Sequence, residues 1–381
     1  MGGNKKWVCR QYSEEPLRTK ESLNLQTNGY GFKDWVVFDL LQAFMKSRIE
    51  YIDTAKGLAI VSIVLLHFEE GIFTPQLNLF ISAYMITMFY ITTGWVDAMK
   101  ENQRPFREFL KRRWNQLMVP YIWWTGIILT FDSILWAFQY YDCYFMAREL
   151  YKSITLRGIG TLWFLPALFG GSLLWHFTKQ KNKWGIYLGV LSMILIYQYL
   201  YHRFFAINSD HIGRIIDAPF RTINSMGGAW IGIAAGYMFY KLYNEYWRIH
   251  SISRDLITGV ALCAVSYYLE TKTQLPSSLW TISAPLLSPI GLVLICKAWQ
   301  QNDYFRYVNV FFTYWGKHSM ALMVTHYSIL LVICTIINKT ITGEQVIVGL
   351  HSLIWFVVAM FVEYYFVIIT EKKFPKIFGK A

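Results

Sequence analysis

The stretch Asp53–His67 (DTAKGLAIVSIVLLH) most constrains the fold, because it is apolar enough to cross a bilayer and still carries ionisable side chains. Such groups are energetically expensive inside a membrane span, so their presence predicts a function. Lys56 and His67 are eleven residues apart, which at ~100° per residue puts them within ~20° of one helical face and ~16 Å apart along the axis. The spacing predicts a helix with a cation near one leaflet and an imidazole near the other.

The composition indicates an integral membrane protein. Hydrophobic residues make up 55% of the chain and charged residues only 16%, which is unusual for a soluble protein. The 16 Trp and 26 Tyr fit the aromatic belts at membrane surfaces. Because the basic residues lie between apolar runs, we interpret the net charge of +12 as membrane topology, with no nucleic-acid partner. The five cysteines show no metal-binding or disulfide spacing, and no metal site is expected.

Ten apolar segments predict an all-α bundle of about ten transmembrane helices. With the N-terminus inside, the inner segments hold 27 Lys and Arg and the outer segments 8, so the positive-inside rule predicts that both termini are cytoplasmic. The predicted spans are residues 51–68, 76–97, 116–139, 160–178, 184–202, 225–243, 255–271, 278–298, 318–337 and 346–369.

The chain divides into a polar N-terminal extension, residues 1–47, and a membrane domain, residues 48–381. We expect no signal peptide at the start, since charged residues occupy the place of its apolar core. Residues 32–46 form an amphipathic pattern. They could lie in the membrane interface before the first span, or pack as a cytoplasmic helix on the inner loops.

The first span carries the strongest candidates for catalysis. His67 lies at its predicted outer end, where an imidazole can act as general base near neutral pH. Alternatively, it only forms a hydrogen bond at the level of the lipid headgroups. Lys56 lies near the inner end, with Asp53 three residues earlier, within reach of an ion pair. Lys56 either snorkels beside that carboxylate or faces an anionic ligand inside the bundle.

A basic loop precedes the third span. Lys111, Arg112 and Arg113 are consecutive at the mouth of that span. They could merely set topology, or they could clamp a phosphorylated donor, since Arg and Lys are the usual phosphate ligands.

Further candidates for a cavity or acceptor site lie in the fourth, ninth and tenth spans. Trp163 and Phe164 open the fourth span level with His67, where belt aromatics are also expected. His326 lies at about mid-membrane in the ninth span, and Glu363 is an acidic residue inside the tenth. Ionisable groups at this depth predict a cavity that faces the bundle interior.

Five motifs together resemble the membrane-bound acyltransferase 3 family, in particular its sugar O-acetylase (fucose 4-O-acetylase-like) branch. That family carries Arg or Lys, ten residues and then His in its first span, as Lys56 and His67 do here. The likeness covers about residues 48–379 in order and leaves the N-terminal extension outside it. The other motifs are FLKRRWNQLMVPY (109–121), LWFLPAL (162–168), WGKHSMALMVTH (315–326) and FPKIFG (374–379).

The resemblance implies an acyltransferase that moves an acyl group, most often acetyl, from cytoplasmic acyl-CoA to a hydroxyl of a cell-surface or lipid-linked carbohydrate. Acyl-CoA would be a co-substrate, with no permanently bound cofactor, and the enzyme would lie in the cell membrane. His67 would be the base or would carry a transient acyl group, Lys56 would hold an acidic partner or donor phosphate, and Lys111–Arg113 would grip CoA. A polysaccharide exporter and a non-catalytic assembly subunit are the alternatives.

Overall fold

The computed structural model describes residues 49–68, 72–100, 105–179, 211–246, 251–272, 277–337 and 350–380, with isolated positions between 188 and 199. The N-terminal extension, including its amphipathic segment 32–46, lies outside the described residues, as does most of the predicted fifth span, 184–202. The chain forms two units, Met1–Arg48 and Ile49–Ala381, and the second is described below.

Helix is the only regular secondary structure among the described residues, which confirms the all-α fold class. A π-helical turn, Trp114–Met118, joins the third and fourth helices, and a 3₁₀ turn, Gly160–Trp163, precedes the sixth. The α-helices are α1 Glu50–Phe68, α2 Pro75–Lys100, α3 Phe106–Arg113, α4 Val119–Ala137, α5 Cys143–Ile154, α6 Phe164–Thr178, α7 His211–Tyr246, α8 Ile252–Lys272, α9 Ser277–Gln300, α10 Arg306–Lys317, α11 Ser319–Ile337 and α12 Leu350–Lys373.

Five of the described helical segments are long and apolar enough to cross a membrane. They are α1, α2, the joined segment Phe106–Ala137, α8 and α12. Two shorter apolar stretches, Pro285–Gln300 and Ser319–Leu330, lie in α9 and α11. The protein is therefore a helical membrane protein, whereas the count of ten spans stays a prediction.

Polar contacts gather the predicted inner ends of the helices at one end of the bundle. The Gln300 amide donates to Glu50 Oε2 at 2.6 Å, which joins the end of α9 to the start of α1. Lys179, just after α6, pairs with Asp97 of α2 at 2.9 Å. Lys297 of α9 reaches the α8 carboxylate of Asp255 at 3.2 Å. These contacts join the starts of α1 and α8 to the end of α9, and the end of α2 to the residue after α6. The inside–outside orientation stays a prediction.

Helix α10 packs directly on the first half of α1, although the sequence predicts a loop for residues 297–317. A Cβ atom added at Gly57 would collide with the backbone carbonyl of Phe312, and one added at Gly316 with the carbonyl of Asp53. Two glycines thus let the helix backbones touch, as small residues do between membrane helices. The hydroxyls of Thr54 and Thr313 hydrogen-bond at 2.8 Å beside this crossing.

The predicted outer loops 140–159 and 203–224 also contain helices. Asp142 caps α5, because its Oδ1 accepts a hydrogen bond from the Phe145 amide at 2.7 Å. Helix α7 begins at His211 and includes residues 211–224 of the second loop, whose residues 203–210 lie outside the described ranges. The Thr222 hydroxyl donates to the Thr155 carbonyl at 3.0 Å. Hydropathy missed these helices because their exposed polar residues lower the apolar signal that identifies a span.

Candidate active site

His67 ends the first helix with a ring that is fixed at one nitrogen and open at the other. Helix α1 runs unbroken from Glu50 to Phe68, so Lys56 and His67 lie on one continuous helix, as their spacing requires. His67 Nδ1 lies 2.6 Å from the Ile63 carbonyl. Because a carbonyl oxygen only accepts hydrogen bonds, Nδ1 carries the proton in the neutral ring. The exposed ring therefore presents Nε2 as a proton acceptor.

His326 repeats this arrangement in a buried position. Its Nδ1 lies 2.6 Å from the Leu322 carbonyl, which again leaves the lone pair on Nε2. The side chain is only 1% exposed, and Nε2 has no hydrogen-bond partner among the described residues. A buried polar atom without a partner is costly, so its retention points to a ligand that supplies the missing bond.

The two imidazoles contact each other edge to face. Their ring centroids are 5.2 Å apart with planes at 68°, and the ring of Tyr327 lies 6.0 Å from that of His67. His326 is thus level with the end of α1. The sequence predicts a mid-membrane depth for His326. In the structure α10 packs along the first half of α1, so α11 starts further along α1 and carries His326 to the level of His67.

Backbone turns around Gly158 and Gly160 support this pair from one side. Both glycines have positive φ, at 74° and 53°, which L side chains adopt at a cost. A Cβ at Gly160 would meet Cδ1 of Tyr327 at 2.9 Å. The Thr161 hydroxyl donates to the Met323 carbonyl at 2.9 Å, which anchors the turn on α11.

Glu363 of α12 hydrogen-bonds to α11 one residue before His326. It is 1% exposed, and its Oε2 accepts a hydrogen bond from the Thr325 hydroxyl at 2.7 Å. Its Oε1 has no hydrogen-bond partner in the part of the chain that the structure describes. Thr325 directly precedes His326, so Glu363 contacts the turn of α11 that carries the buried histidine.

The aromatic candidates of the fourth span occupy different environments. Phe164 is buried and stacks on Tyr90 at 5.6 Å, with its edge against Phe89 at 5.4 Å, so it is a packing residue of the core. Trp163 is half-buried in the turn that precedes α6. The structure therefore puts Trp163, and not Phe164, at a partly accessible position.

The polar residues of the first half of α1 lie beside the α10 crossing. Asp53 is 9% exposed, and its Oδ2 lacks a hydrogen-bond partner within the described ranges. Lys56 is half-buried one turn further along. A carboxylate and a cation are thus held at the end of α1 that is remote from His67.

The basic residues Lys111–Arg113 form the last turn of α3, at the same end of the bundle. Lys111 and Arg112 are exposed, and the guanidinium of Arg113 lies 5.7 Å from the ring centre of Phe109. Phe109 in turn stacks on His176 at 4.5 Å. The π-helical turn follows directly, and such turns often occur at functional sites.

The C-terminal segment packs against this π-helical turn. A Cβ at Gly379, which has φ of 67°, would meet the backbone of Asn115 and Gln116, and Phe378 contacts Trp124 with ring centroids 5.6 Å apart. Two motifs far apart in sequence thus form one surface beside the basic cluster.

Sequence reasoning missed Tyr327, the glycine turn and α10. Tyr327 directly follows a candidate histidine, and the two glycines lie just before the Leu-Trp-Phe motif, so the sequence held a positional signal for both. The sequence signal for α10 is its amphipathic pattern. Its polar face lowers the average hydropathy, so a criterion for apolar spans does not detect it.

The fold and this pair of imidazoles define a helical membrane protein with a candidate acid–base site at one end and a cationic surface at the other. A family model described as an acyltransferase domain, of the acyltransferase 3 type, matches residues 49–371. The chain belongs to this acyltransferase family, and it is an enzyme of that class. No curated protein and no solved structure matches the chain.

Proposed function

We propose that this enzyme transfers an acyl group, most simply acetyl, from acyl-CoA to a hydroxyl group of a cell-surface or lipid-linked carbohydrate. The observation that carries the proposal is the contact of His67 and His326, whose Nδ1 protons are held by backbone carbonyls. In the neutral form of each ring the free lone pair lies on Nε2. A base near neutral pH is what the activation of a hydroxyl nucleophile requires.

In the proposed reaction His67 Nε2 takes the proton of the acceptor hydroxyl as its oxygen attacks the thioester carbonyl. The new C–O bond forms, the C–S bond breaks, and the proton passes from the imidazolium to the departing CoA sulfur. His326 Nε2 accepts a hydrogen bond from the acceptor. A transient acyl group on His67 is a variant of this scheme.

The donor would bind at the opposite end of the bundle. Lys111, Arg112 and Arg113 are consecutive there, and their charge suits the phosphates of CoA. Lys56, ~16 Å from His67 along the helix, would hold a donor phosphate or an acidic partner such as Asp53. The thioester would then have to reach His67 through the bundle.

The proposed topology is ten spans in the cell membrane with both termini in the cytoplasm. The excess of Lys and Arg on the predicted inner segments supports it. The gathering of helix ends around Glu50, Asp97 and Asp255 is consistent with it. Donor binding would then be cytoplasmic and acylation extracytoplasmic.

The proposal is tested with purified protein in proteoliposomes, radiolabelled acetyl-CoA outside or inside, and a glycan acceptor. Wild type should transfer label, and His67→Ala should lose it by about 10²–10⁴-fold, the usual contribution of a positioned base. Inserting one alanine between residues 60 and 61 rotates His67 by ~100° relative to Lys56 and should also inactivate the enzyme. Wild-type activity in both variants would remove α1 from the mechanism.

A further inference from the structure

An open cleft of about 610 Å³ lies where α4 turns into α5. This volume is within the range of ~300–1,000 Å³ that is usual for small-molecule sites. Four of its seven lining residues are aromatic, and an amide, a carboxyl group, a thiol and two phenol hydroxyls supply polar groups. The lining residues are Trp136, Gln139, Tyr140, Tyr141, Asp142, Cys143 and Phe145.

The aromatic wall is built and held in place. Tyr141 and Phe145 stack with ring centroids 3.9 Å apart and planes at 18°, and Tyr140 packs its edge on Tyr141 at 5.3 Å. The cap that Asp142 makes on α5 fixes the backbone between these rings. Trp136 is 45% exposed, so an indole face is available at the rim.

Tyr327 links the cleft to the imidazole pair. Tyr141 lies close enough to Tyr327 for their phenol groups to interact electrostatically, and Tyr327 contacts the ring of His67. Burial, followed by the charge of Asp132, raises the pKa of Tyr141. The phenol therefore stays protonated and can donate a hydrogen bond.

The chemistry of the lining selects the class of ligand. Among the described residues no Lys or Arg lines the cleft, so this lining offers a phosphorylated or carboxylated group no counter-ion. Flat rings, phenol hydroxyls, an amide and a carboxylate suit a neutral polyol, whose C–H face stacks on aromatic rings while its hydroxyls bond at the rim. That combination describes a sugar ring.

We infer that the cleft between α4 and α5 is the subsite that binds a neutral sugar ring of the acceptor and presents its hydroxyl to His67. The inference rests on the proposed function, since it assigns the acceptor of that reaction. Trp136 and Tyr141 form the stacking surface, and Asp142 with Gln139 supplies polar contacts.

Binding is measured without catalysis, by saturation-transfer NMR on the full chain in nanodiscs. The ligands are the methyl glycosides of glucose, N-acetylglucosamine and fucose. At least one glycoside should show saturation of its ring C–H protons. Trp136→Ala and Tyr141→Ala should weaken its affinity by about 3- to 10-fold, the value of one aromatic contact. Tyr141→Phe keeps the stacking ring and loses only the phenol donor, so it should weaken the affinity less than Tyr141→Ala.

Phe138→Ala is the matched control, because Phe138 is 80% exposed in the same loop but does not line the cleft. Absence of binding to wild type, or an equal loss in Phe138→Ala, would overturn the inference. The inference would also be overturned if the Trp136→Ala and Tyr141→Ala variants incorporated poorly into nanodiscs but still bound glycosides. These rings would then be interfacial anchors.

The transfer reaction separates this inference from the proposed function. If His67→Ala abolishes transfer while Trp136→Ala leaves the KM for the acceptor unchanged, the function stands and the subsite is wrong. If glycosides bind in the cleft but wild type transfers no acyl group, the subsite stands and the function is wrong.

Discussion

Replacing Gly57 by alanine should destabilise the protein by about 2 kcal/mol. The new methyl group would collide with the backbone of Phe312 and Gly316. Because backbone atoms cannot swing away as side-chain ends do, the cost lies near the upper end of the ~1–3 kcal/mol that overpacking produces. The better helix propensity of alanine offsets about 1 kcal/mol of it.

The assay is thermal unfolding of purified protein in detergent, followed by tryptophan fluorescence. Gly57→Ala should lower the melting temperature by a few degrees, and Gly316→Ala should do the same from the other side of the crossing. Gly126→Ala is the matched control, since no described atom lies within 4 Å of its added Cβ; it should be neutral or slightly stabilising. If Gly57→Ala behaves like Gly126→Ala, the α1–α10 crossing is not as close as described.

Three further predictions concern the donor end, the buried histidine and the topology. Neutralising Lys111–Arg113 together should raise the KM for acyl-CoA more than it lowers kcat, since phosphate contacts are mostly ground-state binding; an unchanged KM at low salt would leave the cluster only a topological role. His326→Asn keeps a donor for the Leu322 carbonyl but loses the Nε2 acceptor. Steady-state kinetics should therefore show a rise of about 10-fold in the acceptor KM, while the melting temperature is retained. Wild-type kinetics in this variant would contradict a role of His326 in acceptor binding. In a cysteine-free background, an impermeant thiol reagent added to intact cells should label Phe138→Cys and spare Arg107→Cys, and the reverse pattern would refute the orientation.

The sequence predicts the parts of this molecule that depend on local pattern. The apolar run of residues 51–68 closely predicted α1, and the eleven-residue spacing placed Lys56 and His67 on one helix. The family followed from ordered motifs and is confirmed over residues 49–371.

Pairings between distant helices could not be read in the same way. Nothing in the periodicity of α1 indicates that His67 meets His326. That contact depends on how α10 packs along α1 and where α11 then begins. Hydropathy also reads amphipathic helices such as α5 as loops, since their polar faces lower the local average. The aromatic wall around Tyr141 could not be predicted either, because it forms only when α5 folds back against α4.

Mass spectrometry of the surface glycan tests the central claim most directly. A strain that lacks this enzyme should lose one O-acyl substituent, and wild-type protein should restore it. Stably expressed His67→Ala should restore none. Restoration by His67→Ala to the wild-type level would contradict the claim that the imidazole pair at the end of α1 performs acyl transfer.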